Sequence, residues 1–154
     1  MERARTQILV AAAELVASGG LRAVTMASVA RTSAVAKATV YNHFRDRDDV
    51  LRALLGAQGE HLVTHCAAVP TEERLEAAAR WLSSSAVIAG LRRYDPATLV
   101  SVANRAATEP AVHQVVAGWC TPDGDSADAL RWLVSFAVVP GESGESSSGR
   151  DGSL

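Results

Sequence analysis

An all-α fold is predicted for this chain of 154 residues, and three observations predict it. Apolar residues recur at three- and four-residue spacing along most of the sequence, and no alternating run competes as a strand. The 48% hydrophobic content is built from small and aliphatic side chains, 29 of them alanine, with only 5% aromatic, and alanine is the best helix former. Prolines with an acidic neighbour stand where a first helical turn is expected, as in Asp95-Pro96 and Glu109-Pro110.

The elements follow in order. From Thr6, the positions Ile8, Leu9, Ala12, Leu15 and Val16 keep helical spacing until Gly19-Gly20 stops it. Thr25 stands as an N-cap ahead of Met26, Val29 and Ala30, giving a second helix of barely two turns that ends near Thr32. After Ser33-Ala34-Val35, a third helix from Ala36 to about His43 puts Val40 and Phe44 on one face. Asp46, Asp48 and Asp49 suit the positive end of a long fourth helix carrying Leu51, Leu54, Leu55, Leu62 and Cys66. A fifth is expected from Glu72-Glu73 to Gly90, with Leu75, Ala78, Ala79, Leu82 and Ala86 inward. Shorter helices are expected over 96–106, 110–118 and 126–138. The last fifteen residues hold four glycines and five serines and are expected to be a disordered tail.

Charge divides the chain. Net charge is −2, yet residues 1–52 carry +3 and the remainder −5. A basic first third on an acidic body suits a small nucleic-acid reader joined to a second module, although ordinary surface fluctuation explains the split equally well. Cys66 and Cys120 are too few for a disulfide framework and lack metal-type spacing, which fits a reducing, cytoplasmic setting. No apolar run reaches the ~18 residues that span a bilayer, and the N-terminus lacks a signal-peptide pattern. No membrane partner is expected.

The second and third helices form a helix-turn-helix, in which the later helix lies in a DNA major groove and the earlier one braces it. With Val40 and Phe44 inward, the outward arc of the third helix is Ala38, Thr39, Tyr41 and Asn42. Small side chains let a helix sink into the groove, while hydroxyls and an amide supply hydrogen bonds to phosphates or base edges. Fourteen of the fifteen basic residues are arginine, and the one lysine, Lys37, opens this helix. A phosphate or guanine contact explains that placement better than chance survival at a surface site.

The run from Thr25 to Ala30, then Ser33 to Phe44 with its final Tyr41-Asn42-His43-Phe44, then Arg47 and Leu51, resembles the N-terminal domain of tetracycline-repressor-type (TetR/AcrR) regulators. The resemblance covers about the first third of the chain. It implies three N-terminal helices that bind operator double-stranded DNA, and a helical body that dimerises and takes a small-molecule effector. It implies that Thr25 contacts phosphate, that Lys37, Thr39, Tyr41 and His43 touch backbone or bases, that Asn42 sets sequence preference, and that Arg47 grips phosphate in place of a lysine. The family generally has glycine at the turn and serine at the third helix's cap, where this chain has Ala34 and Ala36, and weaker or salt-sensitive DNA binding is expected from that.

The expected organisation is therefore a helix-turn-helix domain over 1–47, an effector-binding and dimerisation domain over 48–139, and a tail over 140–154. His65, Trp81, Tyr94 and Trp119 are candidates to line the effector site, with ordinary packing an equal alternative for the aromatic residues. His61 and His65 share a helix face but lack a third ligand, so no metal and no cofactor are expected. No nucleophile and base are paired around Ser83-Ser84-Ser85, and no enzyme activity is expected. The reading is a homodimeric repressor released from a pseudo-palindromic operator by an effector; the rival is a ligand-binding or interaction protein whose helix-turn-helix no longer reads DNA.

Overall fold

A computed structural model of the chain describes residues 2–119 and 125–139. The described residues are helical, with α1 at Glu2–Gly19, α2 at Met26–Ser33, α3 at Lys37–His43, α4 at Arg47–Ala67 and α5 at Arg74–Ser84. They continue with α6 at Ala86–Tyr94, α7 at Pro96–Thr108, α8 at Pro110–Ala117 and α9 at Ser126–Val138. Single 3-10 turns occupy Leu21–Ala23 and Thr71–Glu73. The tail expected over 140–154 and Cys120 lie outside the described residues.

The expected fifth helix is two. Ser85 takes an extended backbone (φ −65°, ψ 119°), and its side chain accepts from the Ile88 amide, so it ends α5 and caps α6. Serine offers the backbone such local alternatives to helix, and here that outweighs the continuous apolar stripe from Leu75 to Ala86. The bend also lets α6 lie across α1. At Gly90 the two helices meet so closely that a Cβ would sit 2.3 Å from the Val16 carbonyl oxygen.

Two interiors result. The first gathers Ile8, Leu9, Ala12 and Val16 of α1, Val29 of α2, Val40 of α3 and Val50 and Leu54 of α4. It continues through Val87 and Leu91 of α6 to Leu99 of α7, past the boundary expected at residue 47. The second packs Cys66 of α4, Ala77 to Ala79 of α5, Val116 of α8, Trp119, and Leu130 and Leu133 of α9. Burial pushes the Cys66 thiol above its ordinary pKa, with Arg74 opposing the shift.

Polar ties join these parts. The Leu21 amide donates to Asp95 Oδ2 at 2.7 Å, fixing the turn after α1 to the start of α7. Arg92 donates from Nε and Nη2 to the Ala137 carbonyl and from Nη2 to that of Phe136, holding the end of α9 against α6. The His113 ring lies 2.7 Å from the Ala107 carbonyl oxygen and 3.3 Å from Ser126 Oγ, linking α7, α8 and α9.

Candidate nucleic-acid interface

Local rules set up the α2–α3 pair. Thr25, extended at φ −131°, accepts the Ser28 amide at 3.0 Å, and Ser28 Oγ accepts the Thr25 amide at 2.9 Å. That reciprocal capping box satisfies two orphan donors at the start of α2. Ser28 Oγ also donates to the Ala23 carbonyl at 2.7 Å, so this buried hydroxyl is fully used. Thr25 was legible as the cap in sequence; its partner was not singled out, although a serine three residues on was the available signal.

The turn is made by Ala34, the one non-glycine residue with positive φ among the described residues (φ 55°, ψ 23°). A side chain in the left-handed region costs roughly 1–2 kcal/mol. Ser33 Oγ accepts the Val35 amide at 3.3 Å, stiffening the turn, and does not reach α3. Ala36 caps α3 with its backbone alone. The Val40 amide closes on the Ala36 carbonyl at 3.1 Å and that of Phe44 on the Val40 carbonyl at 2.9 Å.

Packing decides which side of α3 is free. Val40 and Phe44 are buried against α1, and the Arg5 guanidinium lies 5.8 Å from the Phe44 ring centre. Lys37, Ala38, Tyr41 and Asn42 are exposed, while Thr39 and His43 are half-buried. Lys37 Nζ stands 6.0 Å from the centre of the Tyr41 ring, one turn on, and forms no ion pair among the described residues. The outward arc is thus a cation, a ring, an amide and a methyl on one short helix.

Arg47 has other work. Its Nε donates to the Val24 carbonyl and its Nη2 to that of Leu21, both at 2.8 Å, while Nη1 pairs with Asp48. The guanidinium therefore clamps the start of α4 to the 3-10 turn that precedes α2, and what remains for phosphate is its outer edge. Asp46 caps α4 by accepting the Asp49 amide at 2.8 Å, and Asp49 pairs with Arg52. The acids next to α3 are thus engaged by their own helix.

In the body, a cavity of about 430 Å³ opens between α4, α5, α6, α7, α8 and α9. Trp81 and Trp119 line it; Tyr94 and His65 do not. Tyr94 lies beside Gly20, and His65 is exposed on α4. Sequence reading missed the remaining walls, whose trace is the recurrence of small residues at Ala103, Ala106, Ala107 and Ala111 along α7 and α8. Among the described residues no three histidine, cysteine or acidic side chains gather as a metal site, and no helix is long and apolar enough to cross a membrane.

No curated protein and no solved structure matched the chain. Residues 8–54, which run from the buried face of α1 through α2 and α3 into α4, match the family described as bacterial regulatory proteins, tetR family. The match spans 47 of the chain's 154 residues, and it is this N-terminal unit that is similar to those regulators.

Proposed function

We propose that this chain is a homodimeric repressor, acting in the cytoplasm, that reads a pseudo-palindromic operator with α3 and is released when a small molecule fills the body cavity. The observation that carries the reading is the exposed arc of Lys37, Ala38, Tyr41 and Asn42, held outward by the buried Val40 and Phe44. In this reading Asn42 addresses base edges and Lys37, Thr39, Tyr41 and His43 address backbone or bases. Thr25 and the outer edge of Arg47 address phosphate. Two copies of α3 about 34 Å apart would meet successive major-groove faces. A dimer is supported by α9, where Trp132 remains 42% exposed with Phe136 edge-on to it at 4.8 Å between ring centres.

Fluorescence anisotropy with the DNA upstream of the chain's own gene tests the reading. Lys37→Ala weakens binding to all sequences and flattens the dependence of log affinity on log salt by about 0.9, the value of one phosphate contact. Asn42→Ala changes the preference among sequences instead. Equal losses on specific and random DNA for every α3 variant would refute sequence reading. The rival, a protein whose helix-turn-helix has lost DNA, is favoured by one feature: Ala34 and Ala36 leave α3 with a strained turn and no side-chain cap. It predicts no operator preference even at low salt.

A further inference from the structure

We infer that the body cavity takes an uncharged, largely hydrocarbon molecule of about seventeen non-hydrogen atoms; this rests on the proposal that the cavity is the effector site. Among the described residues, the wall holds no aspartate, glutamate, lysine, arginine or histidine. A formal charge brought inside would lose its water and find no counter-ion, a heavy desolvation penalty. Among the described lining residues, side-chain hydrogen bonding is confined to the Gln58 amide and the indole N–H groups of Trp81 and Trp119, none of which is bonded to another described residue.

The space is written into the sequence. Where α7 and α8 face it they present Ala103, Ala106, Ala107 and Ala111, side chains too short to reach the opposite wall. The cavity lies between the two interiors, with Leu99 of the first and Leu130 and Leu133 of the second among its walls. Residues of six helices line it, and buried Leu99, Ala103, Val116, Trp119, Leu130 and Leu133 are among them, a depth that suits a compact molecule. Its volume, about 430 Å³, lies within the range of small-molecule sites. It is roughly three times the ~150 Å³ space that holds a benzene ring, which sets the ligand's size. Leu55 and Val115, both partly exposed, give its mouth an apolar rim.

The test uses a matched pair of dyes on the full chain: neutral N-phenylnaphthylamine, and anilinonaphthalenesulfonate, the same ring skeleton with a sulfonate added. The neutral dye is expected to bind saturably at one site per chain, to quench tryptophan emission, and to bind at least about tenfold tighter than the sulfonate. Ala106→Phe, which fills the chamber, is expected to weaken the neutral dye at least about tenfold with the helical circular dichroism unchanged. Val134→Trp serves the same purpose from α9 if that variant does not fold. Equal affinity for both dyes, or undiminished binding in the folded filled variant, would overturn the inference. These titrations need no DNA: a chain that binds its operator but accepts both dyes equally fails only here, and one that discriminates the dyes but ignores its operator fails only as a regulator.

Discussion

Replacing Gly90 with alanine probes the crossing of α1 and α6, where the reading unit rests on the body. The new Cβ would lie 2.3 Å from the Val16 carbonyl oxygen, 2.6 Å from Ala17 Cα and 2.9 Å from the Val16 carbonyl carbon. All three are backbone atoms, so no side chain can swing aside. Restoring ordinary contact requires the helices to part by about 1 Å, enough to forfeit a quarter to a half of the dispersion well for atoms across the joint. Overpacking of this kind costs about 1–3 kcal/mol, and the backbone neighbours place it at the upper end. Against it stands the ~0.5–1 kcal/mol that a helix gains when glycine becomes alanine. The net loss is about 2 kcal/mol, or a melting temperature lower by roughly 4–8 °C for a chain of this size. Gly56 on α4 is the control, because nothing lies within 4 Å of a Cβ there. Gly56→Ala should therefore raise stability by about 0.5–1 kcal/mol. Thermal melts followed by circular dichroism compare the two, and a Gly90→Ala protein as stable as the Gly56→Ala one would refute the close crossing.

Other outcomes follow from the same structure. Ala34→Gly relieves the left-handed alanine and should add roughly 0.5–1 kcal/mol, and Ala36→Ser should add about 1 kcal/mol by capping α3. Urea midpoints measure both, and operator affinity should rise with them if helix order limits binding. Asp95→Ala leaves the Leu21 amide without its carboxylate acceptor and should cost about 1.5 kcal/mol, the lower end for a bond to a charged group because the site is half-exposed; an unchanged urea midpoint would remove that tie from the account. Cys66 is held protonated by burial, so above the ordinary thiol pKa near ~8.5 the unfolded chain loses a proton that the folded chain keeps. Stability should fall as pH rises through that region, and Cys66→Ala should reduce the slope.

The parts of the fold legible in sequence are those that local chemistry dictates. Thr25 marks a cap because its side chain bonds three residues on, and Val40 and Phe44 mark one face because they stand four apart. Ala34 was identifiable as the strained position from its place in the motif. What stayed hidden depends on distant partners or on competition between similar energies. The stripe through Leu82 and Ala86 spoke for one helix, and only the Ser85 cap decided for two. The 3-10 turn at Leu21–Ala23 is held by Asp95 and Arg47, which lie 74 and 26 residues away from Leu21. For the same reason Arg47 read as a phosphate ligand, although two of its five donors are spent on carbonyls and a third on Asp48. The cavity is a property of six helices at once; Trp81 and Trp119 were legible as candidates, but nothing local separated them from His65 and Tyr94.

Val87, Leu91 and Leu99 close the same interior as Val16 and Leu54. The first fifty-odd residues are therefore not an exchangeable cassette. A chimera that grafts them onto a foreign body would carry an uncovered flank along α1, and would need the segment from Ala86 to Leu99 transplanted with them to hold its shape.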